Sequence, residues 1–73
     1  MRVIICGAGQ VGYSIAAYLA REENDVTVID HNPALIAQIN DNLDVNGIVG
    51  HASSPDILEQ AGASESDLII AVT

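Results

Sequence analysis

Positive charge is almost missing from this chain. Arg2 and Arg21 stand alone against ten Asp and Glu residues, and the formal net charge is −8. With no basic patch, binding to the phosphate backbone of DNA or RNA is excluded as a function class. An anionic membrane surface repels the chain for the same reason, so direct membrane insertion is not expected. Any anionic ligand must be held by backbone dipoles instead. The acidic surface does not forbid this, because exposed charges beyond about 8 Å are largely screened at physiological salt. Cysteine is equally scarce: Cys6 alone allows neither an internal disulfide nor a multi-thiolate metal site. His31 and His51 are distant in sequence and neither has a second ligand at metal-binding spacing, so no metal is expected. Long hydrophobic runs are absent too. Although 49% of the residues are hydrophobic, no window is long and apolar enough to span a bilayer. A first strand that begins at the N-terminus leaves no room for a signal peptide, so cytoplasmic residence is expected.

What is present is a regular alternation of β-rich runs and helical patterns within 73 residues, enough for one domain. A domain of this size buries only about 60% of the surface of its unfolded chain. "RVIIC" reads as a first strand. From Gln10 to about Arg21 the pattern is helical, with Val11, Ile15, Tyr18 and Leu19 expected on the buried stripe. Val26 to Ile29 form a second strand. A second helix opens at Pro33 behind Asn32 as N-cap, with Leu35, Ile36, Ile39 and Leu43 on one face. "VNGIVG" is a weaker third strand. "SSPDILEQAG" is a short helix with Ser54 as N-cap and Gly62 as its stop, and "DLIIAVT" is a fourth strand. Near-continuous apolar strands alternating with helices predict an α/β fold, a Rossmann-like doubly wound parallel sheet. Right-handed crossovers give the strand order 3-2-1-4, the first half of such a sheet, with two helices on one face and one on the other. The apolar fourth strand is then an open edge, which invites pairing.

The stretch "VIICGAGQVG" carries the functional signal. G-x-G-x-x-G follows a strand, opens a helix and is succeeded by an acidic residue at the end of the second strand. Gly7 serves the tight turn, Gly9 the approach of a pyrophosphate to the backbone, and Gly12 the close packing of helix on strand. Free N–H groups at the helix start then hold the phosphates. Asp30, 18 residues beyond Gly12, is placed to accept hydrogen bonds from an adenosine ribose. Such a bond to an ionised group contributes about 1.5–3 kcal/mol. A 2′-phosphate within ~4 Å meets instead a repulsion of about 4 kcal/mol per unit charge. NAD(H) is therefore favoured over NADP(H), while an adenosine site alone also admits ATP, ADP or AMP. His31 either lies over the ribose or adenine edge or is a solvated loop residue. Ala52 and Ser53, in "GHASS", either leave room for an adenine ring or belong to a plain loop. Cys6, ending an apolar run, reads as an inert core thiol. Asp56, Glu59, Glu65 and Asp67 read as a solvated face.

"GAGQVG", "VIDHNP" and "VNGIVGHASSPDILEQAGASESDLIIAVT" together resemble the N-terminal nucleotide-binding domain of Trk-type potassium uptake regulators, the TrkA-N or RCK type. The resemblance spans residues 1–73 and is most specific in the second half. It implies a non-catalytic cytoplasmic regulator, peripheral to the membrane through a potassium transporter or channel subunit and assembled as a dimer or larger homo-oligomer. It implies further that Gly7, Ala8, Gly9, Gln10 and Val11 contact dinucleotide phosphates, Asp30 the ribose, and that Thr73 begins the stretch near the middle of the cofactor. Many members of that family carry an acidic residue where this chain has His51. Two other readings remain: the N-terminal half of an NAD-dependent dehydrogenase, which requires a catalytic lysine or histidine not identifiable here, and an association module acting through the fourth-strand edge.

Overall fold

The computed structural model describes residues 1–72. Strand β1 (Arg2–Cys6) leads into helix α1 (Gln10–Arg21), β2 (Asp25–Asp30), α2 (Pro33–Asn42), β3 (Asn46–Val49), α3 (Pro55–Gln60), a 3-10 turn (Ala63–Glu65) and β4 (Leu68–Ala71). All strand pairs are parallel and the order is β3-β2-β1-β4, as the crossover rule predicts. Cys6 pairs in register with Ile29 and with Ala71, and Asp30 with Val49, so the strands end together at one rim.

Alternate residues of each strand point to opposite faces, and each face has its own core. Val3, Ile5, Val26 and Val28 pack beneath α1 and α2 with Ala16, Ile36 and Ile39. Ile4, Cys6, Ile29 and Ile48 meet Ile57, Leu58 and Ala61 from the α3 side. The central strands β1 and β2 are buried on both faces, whereas Leu68 and Ile69 of β4 are 45% and 47% exposed on the sheet edge. Helix α2 begins as predicted: Asn32 Oδ1 accepts from the Ala34 N–H at 2.9 Å ahead of Pro33, and Ile36 and Ile39 are its buried residues. Gly62, at φ +86°, ends the α3 region in the left-handed conformation expected of a stop.

Three local expectations are corrected. The buried stripe of α1 is Gly12 and Ala16, with Ile15 and Leu19 partly buried, while Val11 and Tyr18 are 62% and 55% exposed. Close approach of helix to strand selects small residues over large ones. A Cβ on Gly12 would lie 2.0 Å from the Gly7 carbonyl oxygen. Ser54 occupies the N-cap position of α3 but its side chain makes no capping bond. Glu65 and Asp67 are more than a solvated face: Glu65 Oε2 accepts from Arg2 Nη1, and Asp67 Oδ2 from the Arg2 N–H, each at 2.8 Å. They tie the entry of β4 to the start of β1.

Candidate functional site

The carboxyl ends of β1, β2 and β3 meet in one cleft. Its floor is stitched by backbone bonds that continue the sheet into the loops: Gly7 N–H to the Ile29 carbonyl at 2.8 Å, and Gly50 N–H to the Asp30 carbonyl at 2.9 Å. Between them lies a concavity of about 290 Å³, lined by Gly7, Asp30, His31, His51, Ala52 and Ser53 among others. The structure thus gathers two sequence regions, the end of β2 and the "GHASS" loop, that no local pattern connects. A hollow of about 480 Å³ at the other end of the sheet is lined by Glu23, Asp25 and Asp44, whose carboxylates repel a phosphate ligand.

The glycine loop differs at each of its three glycines. Gly7 has φ +127°, which L side chains rarely adopt, so the turn itself demands glycine. Gly12 is required by packing. Gly9 is required by neither: its φ is −72°, and a Cβ there meets nothing within 4 Å. The fold leaves this position open on the outside of the loop, at the N-cap of α1. The first intrahelical bond runs from Tyr13 N–H to the Gly9 carbonyl at 2.8 Å. Helix geometry therefore leaves the N–H groups of Gln10, Val11 and Gly12 without intrahelical acceptors. These orphan donors and the helix dipole make a site for an anion. On the outer side, Ala8, Gly9 and Gln10 also border a second cleft of about 330 Å³ with Tyr13, Ser14, Leu35 and Gln38.

Asp30 has a structural duty that its position in the sequence does not reveal. Its Oδ2 accepts from the Ala8 N–H at 2.9 Å and its Oδ1 from the Asn32 N–H at 2.8 Å. One carboxylate thereby fixes both the glycine loop and the approach to α2. Burial pushes the Asp30 carboxyl up, but the N–H groups of Ala8 and Asn32, the charge of His31 and its N–H outweigh burial, and its pKa lies below the usual carboxylate value. An ionised carboxylate offers about four acceptor sites. Ala8 and Asn32 N–H occupy two of them, with the His31 N–H also favouring the charge, which leaves acceptor capacity for hydroxyl groups entering the cleft. His31 Nδ1 stands 3.7 Å from Asp30 Oδ1, and the His31 ring stacks on that of His51. Cys6 lines the back of the cleft; burial pushes its thiol up, in keeping with an inert core cysteine.

Of the sequence-derived site residues, the structure brings Gly7, Asp30, His31, Ala52 and Ser53 to one cleft. It places Ala8, Gly9 and Gln10 on the adjoining loop and outer cleft. The Val11 side chain points to solvent, leaving its N–H as the group facing the helix start. Thr73 lies outside the described residues. Sequence reading notes His51 only as a departure from the resembling family's acidic residue and does not place it in the site. Nothing local marked it, because its partner His31 is 20 residues away on another strand end. Among the described residues no group of three or more His, Cys, Asp or Glu is placed to hold a metal ion, and no helix is long and apolar enough to cross a membrane.

Comparison with known proteins gives consistent matches. The family described as the TrkA-N domain matches residues 3–73. The whole chain is 55% identical to a Trk system potassium uptake protein TrkA of Azorhizobium caulinodans and 45% identical to that of Vibrio alginolyticus, in each case spanning 16% of the relative. It is 36% identical to a TrkA homolog of Methanothermobacter thermautotrophicus, of which it spans 34%. Among solved structures, the Kef CTD of Shewanella denitrificans in its AMP-bound form superposes with a TM-score of 0.79 at 29% identity, over 94% of this chain and 40% of that one.

Proposed function

The chain belongs to the TrkA-N domain family, and from that premise we propose that it is a ligand-sensing, non-catalytic dinucleotide-binding module of a potassium uptake system, with NAD(H) as its ligand. The observation that carries the reading is Gly9. Neither backbone conformation nor internal packing calls for glycine there, and the N-cap preference is met as well by serine, asparagine or aspartate, so the choice of the smallest residue fits a group approaching from outside. An anion is what the adjacent helix start recognises.

In this reading the N–H groups of Gln10, Val11 and Gly12 bind the pyrophosphate, which suits a chain with only two cations. The spare lone pairs of Asp30 take the ribose hydroxyls, and Gly50 to Ser53 form the bed of the adenine. The Kef domain that shares this fold is an AMP complex, which supports an adenine nucleotide; ATP and ADP share its chemistry and are competing ligands. The bound dinucleotide supplies no reaction here. It supplies differential affinity: the module works as a sensor if the ligand binds two arrangements of the assembled protein unequally. The partner is a membrane potassium transporter or channel subunit, and the module is cytoplasmic, peripheral to the membrane through that partner. Self-association into a homo-oligomer is part of the proposal, with the exposed β4 edge available for pairing.

Calorimetric titration with NADH, NADPH and ATP tests the ligand assignment. Saturable NADH binding that is weaker for NADPH is the expected result. A chain shown to be folded by circular dichroism, yet binding none of the three, overturns it.

A further inference from the structure

The reading above gives the His31–His51 pair no charge-bearing part. Its rings lie 5.3 Å apart between centroids with planes within 7° of parallel. Both residues are exposed, and both line the same cleft as Asp30. Every other positive group sits elsewhere. Arg2 starts β1 and is engaged by Glu65 at 2.8 Å and by Asp25 at 3.7 Å. Arg21 ends α1, with its guanidinium 6.0 Å from the centre of the Tyr18 ring. The N-terminal ammonium donates to Asn24 Oδ1. All three are at the end of the sheet where the strands begin, and the glycine loop is at the other. Among the described residues the two imidazoles are therefore the only side chains able to bring positive charge to the ligand end, and imidazole is the side chain that changes charge between about pH 5 and 8.

We propose that His31 and His51 form a proton-controlled discriminator of the ribose 2′ position. Uncharged, they leave Asp30 to turn away a 2′-phosphate; protonated, they supply the positive charge that lets the same cleft accept one. This deepens the nucleotide reading and rests on it. The titratable and charged groups facing the pair are few. Asp30 comes from β2, and the buried thiol of Cys6 from β1. The start of α2 contributes only Asn32 and Pro33, the glycine loop contributes no charge, and Asp56 in the first turn of α3 lies outside the cleft lining. Asp30 stays ionised over the interval, its carboxyl lying below the usual range.

The test is calorimetric titration with NAD⁺ and NADP⁺ at about pH 8 and about pH 6, for the native chain and for the His31→Gln/His51→Gln variant. A phosphate monoester itself gains a proton near pH ~6, so the variant supplies the baseline. In the native chain the ratio Kd(NADP⁺)/Kd(NAD⁺) falls about tenfold or more on acidification, as one charge-assisted contact to phosphate allows. In the double variant it falls only by the smaller amount that protonation of the phosphate itself produces, and His51→Gln alone gives an intermediate change. Both rings are exposed, so the variants keep the fold, checked by circular dichroism. NAD⁺ binding with a ratio that falls no further in the native chain than in the variant overturns the discriminator alone. Absence of binding by either nucleotide at both pH values overturns the nucleotide reading, and the discriminator with it.

Discussion

Replacing Gly9 by alanine separates ligand binding from folding. The added Cβ meets no atom of the chain within 4 Å, and φ −72° suits alanine, so no steric cost arises in the folded state. Two smaller effects oppose each other. Alanine restricts the unfolded chain and stabilises by about 0.4–1 kcal/mol. It is also a poorer N-cap than glycine, which costs a similar amount, about 0.5–1 kcal/mol. The net change in stability is within about 0.5 kcal/mol, a shift in Tm of no more than about 4 °C for a domain of this size. The ligand feels the same methyl quite differently. A phosphate held by the N–H groups at the start of α1 must approach this face of the loop, and an intruding methyl costs about 1–3 kcal/mol when neighbours cannot yield. That is roughly a 5- to 150-fold loss of affinity. Thermal denaturation and calorimetric titration with NADH on the same preparation read both quantities. Unchanged NADH affinity in Gly9→Ala would refute the assignment of this face to the ligand. A fall in Tm of about 10 °C or more would show instead that the fold itself needs the glycine.

Three further outcomes follow from the same geometry. Gly12→Ala drives a Cβ to 2.0 Å from a backbone oxygen that cannot swing away; it destabilises by about 1–3 kcal/mol or more, read as a drop in the urea midpoint beside a nearly unaffected Gly9→Ala. The depressed Asp30 carboxyl contributes stability that is fully present above its unfolded value of about 3.9 and is lost as pH falls through its lower folded value. Urea melts across that acid range show a slope that shrinks in Asp30→Asn, and an identical slope in both proteins contradicts the linkage. Glu23 holds a left-handed conformation, φ +63°, just past the end of α1, where glycine is the usual occupant. Glu23→Gly relieves the Cβ strain of about 1–2 kcal/mol against a backbone entropy cost of about 0.5–1 kcal/mol. A gain of about 0.5–1 kcal/mol in chemical denaturation is expected, and a loss contradicts it.

The distinction between Gly9 and Gly12 shows where sequence reading reaches its limit. G-x-G-x-x-G in its strand–helix context was legible, because it depends on a few consecutive dihedrals and on local apolar period. The strand order was legible as well: crossover handedness leaves almost no alternative once the elements are recognised. Of the stripe expected on α1, Ile15 and Leu19 pack against the core but Val11 and Tyr18 do not, because hydrophobic period weighs apolarity, while packing at close approach weighs size. Gly12 and Ala16 are on the inside for that reason, and Tyr18 is not.

Local chemistry alone determined the four strands, the proline-led starts of α2 and α3, the glycine turn and the acidic residue that ends β2. Tertiary structure decided everything that depends on lateral neighbours. Only the pairing of Cys6 with Ile29 brings the Asp30 carboxylate to the Ala8 N–H across 22 residues of sequence. Only the pairing of Asp30 with Val49 carries the loop beyond β3 to where His51 stacks on His31. The physical reason is that parallel strands are joined through crossovers. The residues that share a rim are therefore set by sheet register, which no short window of sequence contains.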